Sequence, residues 1–148
     1  MANPAEELAK PWVHDFLTSQ PPLIARLATC NPKTLQPHVV PVWYDWDGER
    51  LWISAFVSTR KVREALQNPL VSVVMDTDAP GQPARGVILE GRVEIIQDPA
   101  LVAPWATRIY TRYVGPEGIK GADLQSWIVD PENRILMLKP ERAYAWGS

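Results

Sequence analysis

The sequence predicts a mainly β protein with a few helices, built as a closed or partly open antiparallel β-barrel of about six strands. Short runs rich in β-branched and aromatic residues recur along the chain and are typical of strands. Turn-forming residues separate these runs, as at Asn31-Pro32 and Asp47-Gly48. The 148 residues suffice for one domain with a sizeable core, so we expect a single domain over residues 1–148.

The N-terminal part is expected to contain one helix and three strands. Asp47-Gly48 is typical of a tight hairpin turn, and we expect it to join the second and third strands. Pro41 lies inside the second strand, where it cannot donate a hydrogen bond, so we expect a strand edge or a backbone that faces a ligand. The expected elements are a turn at 4–7, a helix at about 11–19, and strands at 23–29, 37–44 and 51–56.

The remaining part is expected to contain the longest strand and the longest helix. Apolar residues alternate on one face over 86–96, and the central Gly91 indicates a bulge or a close backbone approach. Asp98-Pro99 is typical of a helix start. The expected elements are helices at about 59–67 and 98–113, a loop at 76–83, a turn or short helix at 122–127, and strands at 70–75, 86–96 and 134–139, followed by a strand end at about 143–146.

Composition narrows the classes of partner. The formal net charge of −2 gives no electrostatic reason to expect a nucleic acid or an anionic membrane. Cys30 is the only cysteine, which excludes an internal disulfide and favours a reducing compartment. The N-terminal residues are polar, and no apolar run approaches the length of a membrane span. We therefore expect a cytoplasmic protein that binds small molecules.

The most informative stretch is the start of the helix at about 59–67. Ser58 or Thr59 is placed to cap this helix, and Arg60 and Lys61 follow in its first turn. Basic residues there oppose the helix dipole, so helix stability does not explain them. Free N–H groups, hydroxyls and two cations together suit a phosphate dianion. The alternative is a solvated basic first turn.

Motifs of common hydrolases and nucleotide-binding proteins are absent. The sequence has no Gly-x-Ser-x-Gly elbow, no Walker loop, no Gly-x-Gly-x-x-Gly and no Cys/His spacing for zinc. His14 and His38 lie far apart, and Asp45, Asp47 and Glu49 are expected to be solvated turn residues. An enzyme with these residues would depend on a bound cofactor for its chemistry, so no catalytic side chain and no metal are expected. Some of the seven tryptophans are expected to face a planar ligand or a partner subunit.

Several segments together resemble the pyridoxamine 5′-phosphate oxidase-like split-barrel flavoproteins. The resemblance covers roughly residues 20–146, and the order and spacing of its motifs are more specific than any single motif. The similar segments are 24–29, 36–44, 51–55, Ser58-Thr59-Arg60-Lys61, Asn68-Pro69-Leu70-Val71-Ser72, 86–96 and Lys139-Pro140-Glu141-Arg142-Ala143-Tyr144-Ala145-Trp146.

This resemblance implies a six-stranded split barrel, a homodimer, and one flavin-type cofactor in each of two grooves at the dimer interface. Residues 59–61 match the phosphate-binding Ser-Arg-Lys of the family. Residues 54–55 match the strand end that lies beside the ribityl chain, and residues 40–43 match the strand that runs along the isoalloxazine ring. Trp146 either reaches the cofactor of the partner subunit or anchors the C-terminus. The implied cofactor-binding residues are Val40, Pro41, Val42, Trp43, Ser54, Ala55, Ser58, Thr59, Arg60, Lys61 and Trp146.

The second strand lacks the basic residue that true pyridoxamine phosphate oxidases carry, so the resemblance is closer to the shorter branch that includes FMN reductases and deazaflavin-dependent reductases. It implies an FMN-dependent oxidoreductase that transfers a hydride to or from a small planar organic substrate. One alternative keeps the fold and replaces FMN with an 8-hydroxy-5-deazaflavin coenzyme. The others are a non-enzymatic flavin carrier and an interaction module without a cofactor.

Overall fold

The computed structural model describes residues 3–77 and 79–147 and confirms a mainly antiparallel split barrel. The described residues form eight strands, compared with the six predicted, because the strand predicted at 37–44 is interrupted at Trp43 and the C-terminal segment forms a full strand. The strands are β1 (Ala25–Cys30), β2 (Pro37–Val42), β3 (Tyr44–Trp46), β4 (Leu51–Phe56), β5 (Leu70–Asp76), β6 (Gly86–Ile96), β7 (Asn133–Leu138) and β8 (Arg142–Trp146). The helices are α1 (Pro4–Leu8), α2 (Val13–Leu17), α3 (Arg60–Gln67), α4 (Pro99–Gly118) and α5 (Ala122–Ile128).

The sheet order explains how the barrel closes. The strands are hydrogen-bonded in the order β2-β1-β5-β6-β7-β4-β3, and β8 pairs with β6 outside this path. The two end strands, β2 and β3, are consecutive in the sequence and are separated only by Trp43. The sheet must therefore curl until its two ends meet at this residue.

The long strand β6 belongs to both halves of the barrel. Its residues 86–92 pair with β5 and 86–90 with β8, whereas 93–96 pair with β7. The close approach predicted at Gly91 is confirmed, because a Cβ atom there would lie 3.0 Å from Glu141 Oε2 and 3.2 Å from the Glu141 backbone nitrogen. A glycine thus lets the strand pass β8 and β7 where it changes partners.

Two apolar cores hold the fold together. Alternate residues of the strands point into the barrel, including Leu27, Ile53, Val73 and Leu89, which are each at most 1% exposed. The second core lies between the outer face of β4 and β7 and the helices α4 and α5. Its buried members are Val102, Ala106, Ile109, Tyr110, Ile128 and Ile135.

The N-terminal helix differs from the prediction of one helix at about 11–19. The structure has two short helices, because residues 4–8 are helical and residues 9–12 form turns before α2 begins at Val13. The second helix ends at Leu17, and the Thr18 hydroxyl donates to the His14 carbonyl at 2.8 Å. Local hydrogen bonds of this kind compete with helix continuation.

The helix α4 starts as predicted and extends further. The Asp98 carboxylate accepts a hydrogen bond from the Ala100 N–H at 3.0 Å, which caps the helix. Gly115 interrupts the helix with φ 80° and ψ 172°, a conformation that suits glycine. No helix within residues 3–77 and 79–147 combines the length and hydrophobicity needed to cross a membrane.

Candidate functional site

The barrel is open where β2 and β4 separate. The strand β3 pairs with β4 over residues 44–46 and 51–53. Beyond Trp43 this pairing ends, and within the described residues β2 pairs only with β1, and residues 54–56 only with β7. On the side away from β1 and β7, alternate residues of the two strands have no strand partner, and we call this side the open edge (residues 37–42 and 54–56). The predicted cofactor segments 40–43 and 54–55 lie on or next to this open edge.

Pro41 is accommodated by the free side of β2. The β1–β2 register continues on both sides of Pro41, with Leu27 opposite Val40 and Ala25 opposite Val42. The ladder does not need an N–H at Pro41, so its ring nitrogen belongs to the open edge, as predicted. Pro41 is exposed, Val40 packs against the barrel core and Val42 is buried.

The first turn of α3 lies directly after the free part of β4. Thr59 occupies the N-cap position, but its hydroxyl donates to the Phe56 carbonyl at 2.7 Å and caps no helix N–H. The Ser58 hydroxyl does not cap the helix either. The side-chain cap predicted at Ser58 or Thr59 is therefore wrong. The cause is the tight turn before the helix, in which the Thr59 N–H also donates to Phe56 at 3.0 Å. The first-turn N–H groups are left without a side-chain acceptor, which suits an anion.

Two cations lie in this first turn, and it contains no acidic residue. Lys61 is half-buried and makes no hydrogen bond or ion pair with another described residue. Burial lowers its pKa, since desolvation disfavours the charged ammonium. Arg60 donates from Nε to Glu64 Oε2 at 3.0 Å, and its two terminal nitrogens have no partner among the described residues. We call Arg60, Lys61 and the first-turn N–H groups the cationic corner.

Ser54 and Ala55 differ in the groups that they offer to a ligand. The Ser54 hydroxyl points to α4, where its Oγ lies 2.8 Å from Tyr110 Oη and donates to Asn133 Oδ1 at 2.9 Å. The Ala55 side chain is buried in the barrel core. Neither side chain is therefore directed at the open edge, and of these two residues Ser54 is the one whose backbone groups face it.

Trp43 belongs to a larger set of aromatic residues that the sequence analysis did not identify. It stacks on Tyr113 with ring centroids 4.8 Å apart and meets Tyr110 edge-on at 6.1 Å. Tyr110 in turn meets Trp127 edge-on at 6.4 Å. We call these four residues the aromatic wall. Tyr110 and Tyr113 are three residues apart on one helix, a spacing that places both on one face and could have revealed them.

Two members of the aromatic wall line a cavity of about 480 Å³ that is wide open to solvent. Trp43 and Trp127 contribute its large rings, and Asp123 is its one charged lining residue. Burial raises the pKa of both Tyr110 and Tyr113, so both phenols are neutral at ordinary pH. The Tyr113 hydroxyl donates to the Leu23 carbonyl at 2.6 Å and accepts from the Tyr44 N–H at 3.2 Å, which fixes its ring.

Trp146 packs within its own chain. It lies opposite Gly86 in the β6–β8 register, and a Cβ atom at Gly86 would overlap its indole ring. Its ring also stacks on Tyr144 at 6.0 Å. Of the two roles predicted for Trp146, these contacts support the anchoring of the C-terminus. No group of three or more His, Cys, Asp or Glu side chains in the described parts of the chain could hold a metal ion.

Comparison with known proteins identifies relatives of this fold. The family described as pyridoxamine 5′-phosphate oxidase matches residues 10–147. No curated protein matches the chain. An F420 reductase of known structure is 28% identical, with a TM-score of 0.67, and the match covers 87% of this chain and 94% of the reductase.

Two further structures share the fold at lower identity. A conserved hypothetical protein from Mycobacterium tuberculosis has a TM-score of 0.75 at 24% identity, over 99% of this chain and 86% of that one. The flavocytochrome Anf3 from Azotobacter vinelandii has a TM-score of 0.73 at 16% identity, over 95% of this chain and 68% of the flavocytochrome.

Proposed function

Because the chain belongs to the pyridoxamine 5′-phosphate oxidase family, we propose that it is a flavin-dependent oxidoreductase that binds FMN along the open edge. A bound flavin supplies hydride transfer at its N5 atom, here to or from a small planar organic substrate. The protein then has three tasks, which are to hold the phosphate, to place the ring and to admit the substrate.

The cationic corner carries this proposal. Lys61 is half-buried without a partner in the described chain, and this partial desolvation disfavours its charge, a cost that a paired anion would offset. The terminal nitrogens of Arg60 and the first-turn N–H groups of α3 supply further donors. These donors fit the FMN phosphate, and we assign Ser58, Thr59, Arg60 and Lys61 to it.

The open edge would place the remainder of the cofactor. Ser54 and Ala55 shortly precede the cationic corner in the chain, and their strand end would lie beside the ribityl chain. The segment 40–43 would run along the ring system, where Pro41 removes a donor that no strand needs.

The aromatic wall would receive the substrate. Trp43 is part of the ring-binding segment and also lines the 480 Å³ cavity, so the two sites would be adjacent. A cavity of this size with mostly apolar lining suits a small planar molecule. The neutral phenols of Tyr110 and Tyr113 keep the wall uncharged.

We further propose a homodimer in which the partner completes each cofactor groove. The strands β2, β1, β5, β6 and β8 form one half of the barrel, and side chains on its outer face include Val39 and Tyr144. These two apolar side chains are 64% and 47% exposed in the single chain. Exposed apolar groups on one sheet face favour association.

One alternative has specific support. The F420 reductase match at 28% identity favours an 8-hydroxy-5-deazaflavin coenzyme on the same open edge. Its long anionic tail would need cations beyond the corner, and exposed Arg63 is available on α3. Arg26 is less suitable, because it already pairs with Asp76 at 2.8 Å.

The absorption spectrum of the freshly purified protein tests the proposal. We expect a yellow protein with flavin bands, or a colourless protein that acquires bound FMN on titration. Binding of the deazaflavin coenzyme with no response to FMN would favour the alternative. Failure to bind either coenzyme would contradict the proposed function, and binding without turnover by a nicotinamide donor and an organic acceptor would indicate a carrier.

A further inference from the structure

We propose that Glu64 is a positioning residue that orients Arg60 toward the phosphate of the cofactor, an inference that rests on the proposed function. Glu64 lies one turn after Arg60 on α3, and its side chain is 7% exposed, compared with 46% for Arg60. A buried acid is an unexpected neighbour for an anion site, because its charge repels the phosphate. Its contacts explain why it is there.

Both carboxylate oxygens of Glu64 are held by different elements. Oε1 accepts a hydrogen bond from the Thr29 hydroxyl of β1 at 2.8 Å. Oε2 accepts from Arg60 Nε at 3.0 Å. The carboxylate is therefore fixed to the barrel, and its hydrogen bond to Arg60 restricts the position of the guanidinium group.

The charge of Glu64 is maintained by the groups that face it. The Thr29 hydrogen bond, the Arg60 contact and His38 of β2 all lower the pKa of Glu64. Desolvation by burial raises it, but the lowering effects are larger. The charged acid and the guanidinium thus form a charge-assisted hydrogen bond.

The contact uses only one donor of Arg60. Bonding at Nε restrains the plane of the guanidinium and leaves both terminal nitrogens without a partner among the described residues. A planar fork that is already oriented loses less side-chain entropy when it binds phosphate. Glu64 therefore strengthens phosphate binding by restricting Arg60, even though its own charge is unfavourable.

Removing the charge of Glu64 should weaken phosphate binding if Glu64 positions Arg60, and should strengthen it if Glu64 only repels the phosphate. FMN and riboflavin differ by the phosphate, so the ratio of their dissociation constants, measured by flavin fluorescence quenching with apoprotein, reports on the phosphate alone. We expect Glu64→Gln to reduce the preference for FMN about 5- to 20-fold and to leave riboflavin affinity unchanged. An unchanged or increased preference for FMN would overturn the positioning role.

Three further variants complete the experiment. Thr29→Val removes the anchor of Glu64 without touching the ion pair, and we expect a smaller loss in the same direction, which tests the inference even if Glu64→Gln does not fold. Glu117→Gln removes an exposed carboxylate on α4 and should change nothing. In an Arg60→Ala background Glu64→Gln should have no further effect, and an undiminished effect there would contradict action through Arg60.

The outcomes also separate this inference from the proposed function. A wild-type protein that binds FMN and riboflavin equally well would contradict the phosphate site itself. A wild-type preference for FMN that Arg60→Ala reduces and Glu64→Gln does not would leave the site in place and remove only the role of Glu64. If the protein binds only the deazaflavin coenzyme, the same comparison uses that coenzyme and its phosphate-free deazaflavin core.

Discussion

Lys61 illustrates how one residue can be unfavourable for the fold and useful for binding. Its ammonium group is partly desolvated, and its pKa is lowered for that reason. A lysine with a lowered folded-state pKa destabilises the fold while it is charged, and this cost disappears as the pH rises toward the ordinary value of 10.5. A bound phosphate would offset the same cost by pairing with the charge.

We therefore expect Lys61→Met to raise the thermal stability of the apoprotein at neutral pH and to weaken FMN binding about 10-fold or more. The gain in melting temperature should shrink as the pH approaches 10.5. Thermal unfolding across this pH range and an FMN titration check both effects. Lys120→Met, at an exposed lysine just after the end of α4, is the control and should change neither. A lower melting temperature for Lys61→Met would show that this lysine stabilises the fold.

The position of a residue in the fold was predictable where the signal is local. The basic pair at 60–61 stands out in the sequence because it opposes the helix dipole. Asp45 was expected to be solvated, yet it is 7% exposed and its carboxylate contacts Arg108 at 2.6 Å. Similarly, the Ser54 hydroxyl bonds to Tyr110. Both contacts are made with α4, which is distant in sequence from Asp45 and Ser54, so no local pattern reveals them.

The connection between α4 and the barrel is the main long-range feature at the scale of elements. Arg112 of α4 donates from Nη1 to the Tyr44 carbonyl of β3 and from Nη2 to the Leu17 carbonyl of α2, both at 2.8 Å. Its guanidinium also lies 4.5 Å from the centre of the Tyr44 ring. One side chain thus joins two helices and a strand, next to the aromatic wall.

We expect Arg112→Lys to lower the free energy of unfolding by about 1–3 kcal/mol, because an ammonium group cannot reproduce the two forked hydrogen bonds of the guanidinium. Urea denaturation measures this change. Arg108→Lys is the matched control on the same helix, since Arg108 is 60% exposed and a lysine there can still pair with Asp45. Equal losses for the two variants would contradict a special role for Arg112.

Elements were predictable where turn signals and alternation agree. The strands β4 and β6 have the predicted bounds, and α3 begins one residue after the predicted start. The break at Trp43 was not predicted, because the chain there exchanges one strand partner for another and the sequence continues to favour a strand. Such an exchange is a property of the whole sheet.

At the scale of the whole molecule, the order of strands in the sheet determines both how the barrel closes and where it stays open. The order begins with β2 and ends with β3, and the change of partner at Trp43 leaves the open edge beside the cationic corner. A ligand in this position would be covered on one side only by the single chain. A second subunit is the simplest way to cover the other side.

We expect a dimer by light scattering at micromolar concentration. Val39→Asp places a charge on the exposed apolar face and should shift the protein toward the monomer with weaker FMN binding. Val129→Asp is the control, because Val129 is also exposed, at 73%, but follows α5 on the other half of the molecule. A monomeric wild-type protein that binds FMN fully would contradict the dimeric groove.

The most direct test of the account compares FMN affinity in the wild type and in the Arg60→Ala, Lys61→Ala double variant. Each charge-assisted phosphate bond contributes about 1.5–3 kcal/mol, so we expect the double variant to lose about 100-fold or more in affinity. Circular dichroism should show that the variant is folded. An FMN dissociation constant equal to that of the wild type would contradict the assignment of the cationic corner to the cofactor phosphate.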